Sequence, residues 1–155
     1  MIASVTAAIE ALATEINSVA IHLVRRVRRT DVQLGVPPAQ LAALSVLVFG
    51  GSQTASSLAA SEQVTAPTMT RIVQGLERRG LARRRPHPDD GRASIIVATA
   101  RGRRLMERGR GLRVAQLERA LDGLDRAELD DLRRGIVLLR RIEHQLRTGQ
   151  VASNR

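Results

Sequence analysis

The order of local signals between residues 54 and 99 constrains this chain more than any other feature. Two short helical patterns, over 54–61 and 65–78, stand one turn apart. The second leads straight into a strand pattern, a Pro/Asp/Gly tip and another strand pattern. Helix, turn, helix and hairpin in that order describe a helix-turn-helix with a wing. The boundaries are marked by the residues that such boundaries need. Thr54 and Thr65 offer hydroxyls as N-caps, Pro67 falls in a first turn where its missing N–H costs nothing, and Gly80 suits the exit. Glu62-Gln63-Val64 forms the turn between the helices. Residues 81–85 and 93–98 read as strands, the second β-branched at Ile95, Ile96 and Val97. Pro86-His87-Pro88-Asp89-Asp90-Gly91 supplies the turn chemistry between them.

The second helix of this motif has two faces. Met69, Ile72, Val73 and Leu76 recur at i, i+3, i+4 and i+7 and make an inward stripe. At about 100° per residue, Pro67, Arg71, Gln74 and Arg78 fall opposite it. Thr68, Thr70 and Gly75 flank that outward stripe, which is polar, cationic and slim. These are side-chain types that reach base edges and phosphates.

Long helices are expected on either side. In residues 2–29, Ile2, Val5, Ile9, Leu12, Ile16, Val19, Leu23 and Val27 recur at threes and fours. Gly35 and Pro37-Pro38 break the pattern, and a second helix runs from about Pro38 to Val48. Beyond Thr99 a fifth helix reaches about Leu121, weakened by Gly102, Gly109 and Gly111, with a bend possible at 109–111. Asp125 caps a sixth, reaching about Arg147 and carrying Leu129, Leu132, Ile136, Leu139, Ile142 and Leu146. The first and last helices carry more apolar surface than a small central lobe absorbs, which implies pairing with a second chain. The fold class is therefore mainly α with a small β-hairpin wing: a winged helix-turn-helix with long N- and C-terminal dimerisation helices. The organisation is a dimerisation helix over 1–34, a DNA-binding domain over 36–100, C-terminal dimerisation helices over 101–148 and a flexible tail over 149–155.

Charge supports the same reading. The net charge of the 155-residue chain is +10, and every one of its 25 basic residues is Arg. A GC-rich genome accounts for most of that preference over Lys, but not for placement. Residues 71–113 hold 13 Arg against four acids, Glu77, Asp89, Asp90 and Glu107. Such a field attracts polyanions. A membrane is the rival polyanion, but no unbroken run reaches the roughly 18 apolar residues that spanning needs, and no leader pattern is evident. Cys is absent, so disulfides and Cys-metal sites are excluded. Phe49 is the one aromatic residue, which disfavours base stacking on single strands.

An enzyme needs a nucleophile–base pair or a metal cluster. Only His87-Pro88-Asp89-Asp90 groups such residues locally, and its prolines fit a hairpin tip better. His22 and His144 are isolated. No metal, cofactor or catalytic residue is expected.

The stretch from Leu41 to Gly102 resembles the MarR family of bacterial transcriptional regulators. The resemblance is carried by Leu58-Ala59, VTAPTMTRIVQGLERRGLARR at 64–84, HPDDGRA at 87–93, and Thr99 with Gly102. Ala98 stands where the family usually has Leu, and Gly91 where an Arg is frequent. The resemblance implies a homodimer on a near-palindromic operator in double-stranded DNA, usually a repressor relieved by a small ligand, in the cytoplasm at the nucleoid. It implies that Thr65, Pro67, Thr68, Thr70, Arg71, Gln74 and Arg78 form the groove-facing set. Arg71 and Gln74 are the base readers; Thr65 and Thr70 touch phosphate or cap the helix. Arg84, Arg85, Asp90 and Arg92 belong to the wing, with Arg92 entering a narrow minor groove and Asp90 orienting it. A small acidic or apolar effector would lie near His22, Arg26, Leu44 and Val48 and the start of the fifth helix, positions that also read as ordinary core or interface. Two other readings stay open: a nucleoid-type binder driven by charge alone, and a winged-helix module that binds a protein.

Overall fold

The computed structural model describes residues 2–87 and 94–149, with the side chains of 2–4 left aside. Asp90 and Arg92 of the expected wing tip therefore lie outside the described residues. The chain divides into two compact units, Met1–Ala115 and Gln116–Arg155. Gly102, Met106 and Gly109 of the fifth helix are buried, Met106 within the core of the first unit.

In the first unit, α1 spans Ile2–Val27 and passes into a 3-10 helix, Arg28–Leu34, where the sequence pattern had suggested one helix to residue 29. Gly35 ends that segment at φ 65°. α2 (Pro38–Phe49) begins on its own proline. A two-residue strand, β1 (Gln53–Thr54), precedes α3 (Ala55–Ser61). α4 (Ala66–Arg78), β2 (Ala82–Pro86) and β3 (Ser94–Ala98) follow, and α5 (Ala100–Leu121) begins in this unit. The sheet is antiparallel in the order β1-β3-β2, with Arg84 opposite Ile96 and Ala82 opposite Ala98. β1 escapes a periodicity search because two residues cannot display one.

Side-chain caps set the helix starts. The Thr54 hydroxyl accepts from the Ser57 N–H at 3.1 Å, and the Thr65 hydroxyl from the Thr68 N–H at 3.4 Å. Both helices of the motif end in the same double hydrogen bond. After α3, Gln63 N–H reaches the Ala60 carbonyl and Val64 N–H the Ala59 carbonyl; after α4, Gly80 reaches Glu77 and Leu81 reaches Leu76. This ending requires a left-handed residue. Gly80 (φ 66°) supplies it at no steric cost, and Gln63 (φ 53°) adopts it as a non-glycine.

Thr99 then ties α5 to the end of α4. Its hydroxyl donates to the Gly80 carbonyl at 2.7 Å and accepts from the Gly102 N–H at 3.1 Å. A Cβ on Gly102 would collide with the Leu81 carbonyl oxygen. The Thr-x-x-Gly spacing is thus a docking joint between α5 and the exit of α4. Leu44, Leu58, Met69, Val73, Leu76 and Ile96 are fully enclosed at the centre of this unit.

α1 packs differently from the rest. Val5, Ile9, Leu12 and Val19 are each more than half exposed. By length and composition Val5–Leu34 is apolar enough to cross a membrane. This amends the expectation from unbroken apolar runs, because isolated polar residues between the apolar ones leave the helix apolar on average.

In the second unit, the end of α5 leads to α6 (Arg126–Arg147). Asp125 and Glu128 form a reciprocal capping box, with both bonds at 2.9 Å. No described residue of α6 is buried, and Leu132, Ile136, Leu139, Ile142 and Leu146 line an exposed apolar stripe.

Candidate nucleic-acid interface

The core fixes which side of α4 faces out. Met69, Val73 and Leu76 are fully buried against α2 and α3, so Pro67, Thr68, Thr70, Arg71, Gln74 and Arg78 are all exposed. The threonines are occupied locally. Thr65 and Thr68 share a hydroxyl–hydroxyl bond of 2.9 Å, and Thr70 donates to the Ala66 carbonyl at 3.0 Å. They shape the first turn and leave its face compact. Arg71, Gln74 and Arg78 make no ion pair or side-chain hydrogen bond among the described residues, so their donors stay available. The competing bridge from Arg71 to Glu62 or Glu77 does not form. Glu77 pairs instead with Arg84 of β2, at 3.4 Å.

That pair changes the role open to Arg84. It braces the root of the wing against the recognition helix, while Arg83 and Arg85 remain exposed and unpaired among the described residues. Gly75 also departs from expectation. Helical rotation put it beside the outward stripe, free to meet a DNA backbone. It is buried, and the Gln40 amide of α2 occupies the space that a Cβ would need. The Gln40 Oε1 is itself enclosed and without a hydrogen-bond partner among the described residues.

The suggested effector residues do not converge. His22 and Arg26 are exposed on α1, Leu44 is sealed in the core, and Val48 packs against that core. Two cavities lie elsewhere in the first unit. One, of about 610 Å³, runs from Arg28, Asp31 and Val32 past Pro37, Leu41 and Ser45 to Met106 and Arg113. The other, of about 410 Å³, is lined by Arg79, Arg101, Arg104 and Arg108 over Leu34, Val36, Leu81 and Leu105. None of the four residues lines either cavity: His22 and Arg26 precede the 3-10 segment on α1, and Leu44 and Val48 lie in or against the core; the start of the fifth helix does line the smaller one, through Arg101, Arg104 and Leu105. Sequence reasoning also missed two long-range contacts. Arg79 donates to the Gly35 carbonyl at 3.2 Å, and Arg113 meets Asp31 at 2.6 Å. Nothing in local spacing signals either.

Comparison with known proteins decides the family. The MarR family pattern matches residues 34–93. The uncharacterized HTH-type transcriptional regulator Mb0904 of Mycobacterium bovis is 34% identical over 122 residues, covering 79% of this chain and 85% of that protein. The chain belongs to the MarR family. It is a DNA-binding transcriptional regulator and not an enzyme. A second relative, the HTH-type transcriptional regulator ML2140 of Mycobacterium leprae, is 33% identical, covering 83% of this chain and 90% of its own. Among solved structures, the transcriptional regulator Tm0710 of Thermotoga maritima has the same fold, with a TM-score of 0.81 at 22% identity, covering 92% and 99% of the two chains. A mutant of MepR from S. aureus, solved bound to an oligodeoxyribonucleotide, superposes with a TM-score of 0.65 at 19% identity, covering 83% and 94%.

Proposed function

We propose that this MarR-family regulator is a homodimeric repressor that reads a near-palindromic operator and is relieved by a small molecule. The observation that carries the reading is the unpaired outward stripe of α4. Arg71 offers a planar fork suited to guanine O6 and N7, and Gln74 the donor–acceptor pair suited to adenine. Thr65, Pro67, Thr68 and Thr70 present a slim helix start that lets this stripe approach the groove floor, and Arg78 lies at the far end for phosphate. Arg84 and Arg85 carry the wing, with Asp90 and Arg92 assigned to its tip on the sequence alone.

The dimer is supported by apolar surface that neither unit covers for itself. Each large aliphatic side chain on α1 or α6 would contribute about 1.5–3 kcal/mol if fully buried. Two copies sharing that surface set two recognition helices about one DNA turn apart. The 610 Å³ cavity falls within the range of small-molecule sites, and its wall includes both charged and aliphatic groups. An effector there would act by favouring dimers whose helix spacing does not fit the operator.

Selection from a random duplex library tests the reading. Enrichment of a near-palindrome with half-sites about one turn apart supports it. A pool that stays unenriched in sequence would leave charge as the only source of affinity.

A further inference from the structure

The 410 Å³ cavity has a lining that the DNA-reading surface does not use. Arg101, Arg104 and Arg108 recur at i, i+3 and i+7 on one face of α5, with Leu105 between them. Arg79, the C-cap of α4, adds a fourth guanidinium. Leu34, Val36, Leu81 and Leu105 make the floor, and no carboxylate among the described residues lines the site. Arg101, Arg104 and Arg108 enter no ion pair among the described residues. The nearby Glu107 turns to Arg110, at 3.7 Å.

Four fixed positive charges around one small concavity repel each other until an anion sits among them. A single carboxylate would leave most of that repulsion in place. A phosphoryl group carries close to two negative charges at neutral pH and accepts planar guanidinium forks in pairs. The aliphatic floor calls for an apolar body attached to it. Duplex DNA fits the site poorly, because a backbone phosphate cannot bring apolar surface to a leucine floor.

We propose that this cavity is a binding site for a small phosphorylated molecule with an apolar moiety. It adjoins the 610 Å³ cavity, with which it shares Leu34, Val36 and Arg79, and does not depend on the effector reading given above. Arg79, the C-cap of α4, also holds the Gly35 carbonyl after the 3-10 segment, so the site touches both elements.

The test is calorimetric titration of the full chain, at about 0.15 M salt, with phenyl phosphate and with benzoate. These share a ring and differ in charge. The expected result is phenyl phosphate binding about tenfold or more tighter than benzoate, with that margin lost in Arg104→Ala/Arg108→Ala. Arg140→Ala, on α6 and lining neither cavity, should change nothing. Equal affinity for both probes would overturn the proposal, as would indifference to the double substitution or an equal loss in Arg140→Ala. A second arm separates the site from the DNA surface. The double variant should bind a random duplex with an unchanged salt slope; a slope reduced by about one per Arg would assign these residues to the DNA backbone and overturn the small-molecule site.

Discussion

Asp31 and Arg113 stand 82 residues apart in sequence and meet at 2.6 Å, joining the 3-10 segment after α1 to the middle of α5. Both side chains are about three-quarters or more buried. Gly109, one helical turn earlier, leaves room for this approach, since a Cβ there would press on Leu34 and Arg113. Asp31→Asn and Arg113→Ala should each lower stability by roughly 1 kcal/mol, and the double variant by less than their sum. Urea midpoints of the four proteins check this. Simple additivity would show that the two groups do not stabilise each other.

Two glycines of α5 should respond in opposite directions to the same substitution. Gly102→Ala drives a Cβ into the Leu81 carbonyl, which is backbone and cannot swing aside, so a loss of roughly 2 kcal/mol or more is expected. Gly111 has open space around it, so Gly111→Ala should gain about 0.5–1 kcal/mol from helix propensity. Thermal unfolding of both variants reads the contrast. Equal shifts of either sign would contradict the docking joint at Thr99 and Gly102.

Arg71→Ala should relax sequence preference more than it weakens affinity for random DNA. The expected loss is about 1–3 kcal/mol on the selected operator and little on a scrambled duplex. An equal loss on both would make Arg71 a phosphate contact. Arg84→Ala offers a contrast, because its guanidinium is held by Glu77. It should act through the wing root, and Glu77→Gln should reproduce part of its effect.

The exposed stripe of α1 sets a prediction about assembly. Ile9→Glu with Val19→Glu places two charges among Val5, Leu12 and their neighbours, all exposed in a single chain. Light scattering should show the mass falling from dimer to monomer, with the central core still folded by circular dichroism. An unchanged dimer would exclude this face from the interface. Sedimentation of the unmodified chain with lipid vesicles would instead show that a membrane covers α1.

Much of this structure was legible because its signals are local. Thr54, Thr65 and Asp125 each sit one residue before their helix and cap it by side chain, and the 3.6-residue period of Met69, Val73 and Leu76 fixed which side of α4 faces out. What stayed hidden is non-local. Gly75 lies on the flank of the outward stripe by helical rotation alone, yet α2 crosses there and Gln40 covers it. Leu44 and Val48 follow the same helical spacing whether they face a cavity or the core, so sequence could not separate the two. The 3-10 segment breaks the α1 period within seven residues, too few to alter an apolar pattern visibly. The Asp31–Arg113 pair depends on how two distant helices approach, which no spacing rule encodes.

In the proposed function, the outward face of α4 reads sequence. Fluorescence anisotropy of the full chain on the selected duplex and on its scrambled counterpart, across a salt series, measures this. A preference of about 10³-fold or more, persisting as both affinities fall with salt, is expected. Superimposed curves at every salt concentration would contradict it and leave a binder governed by charge alone.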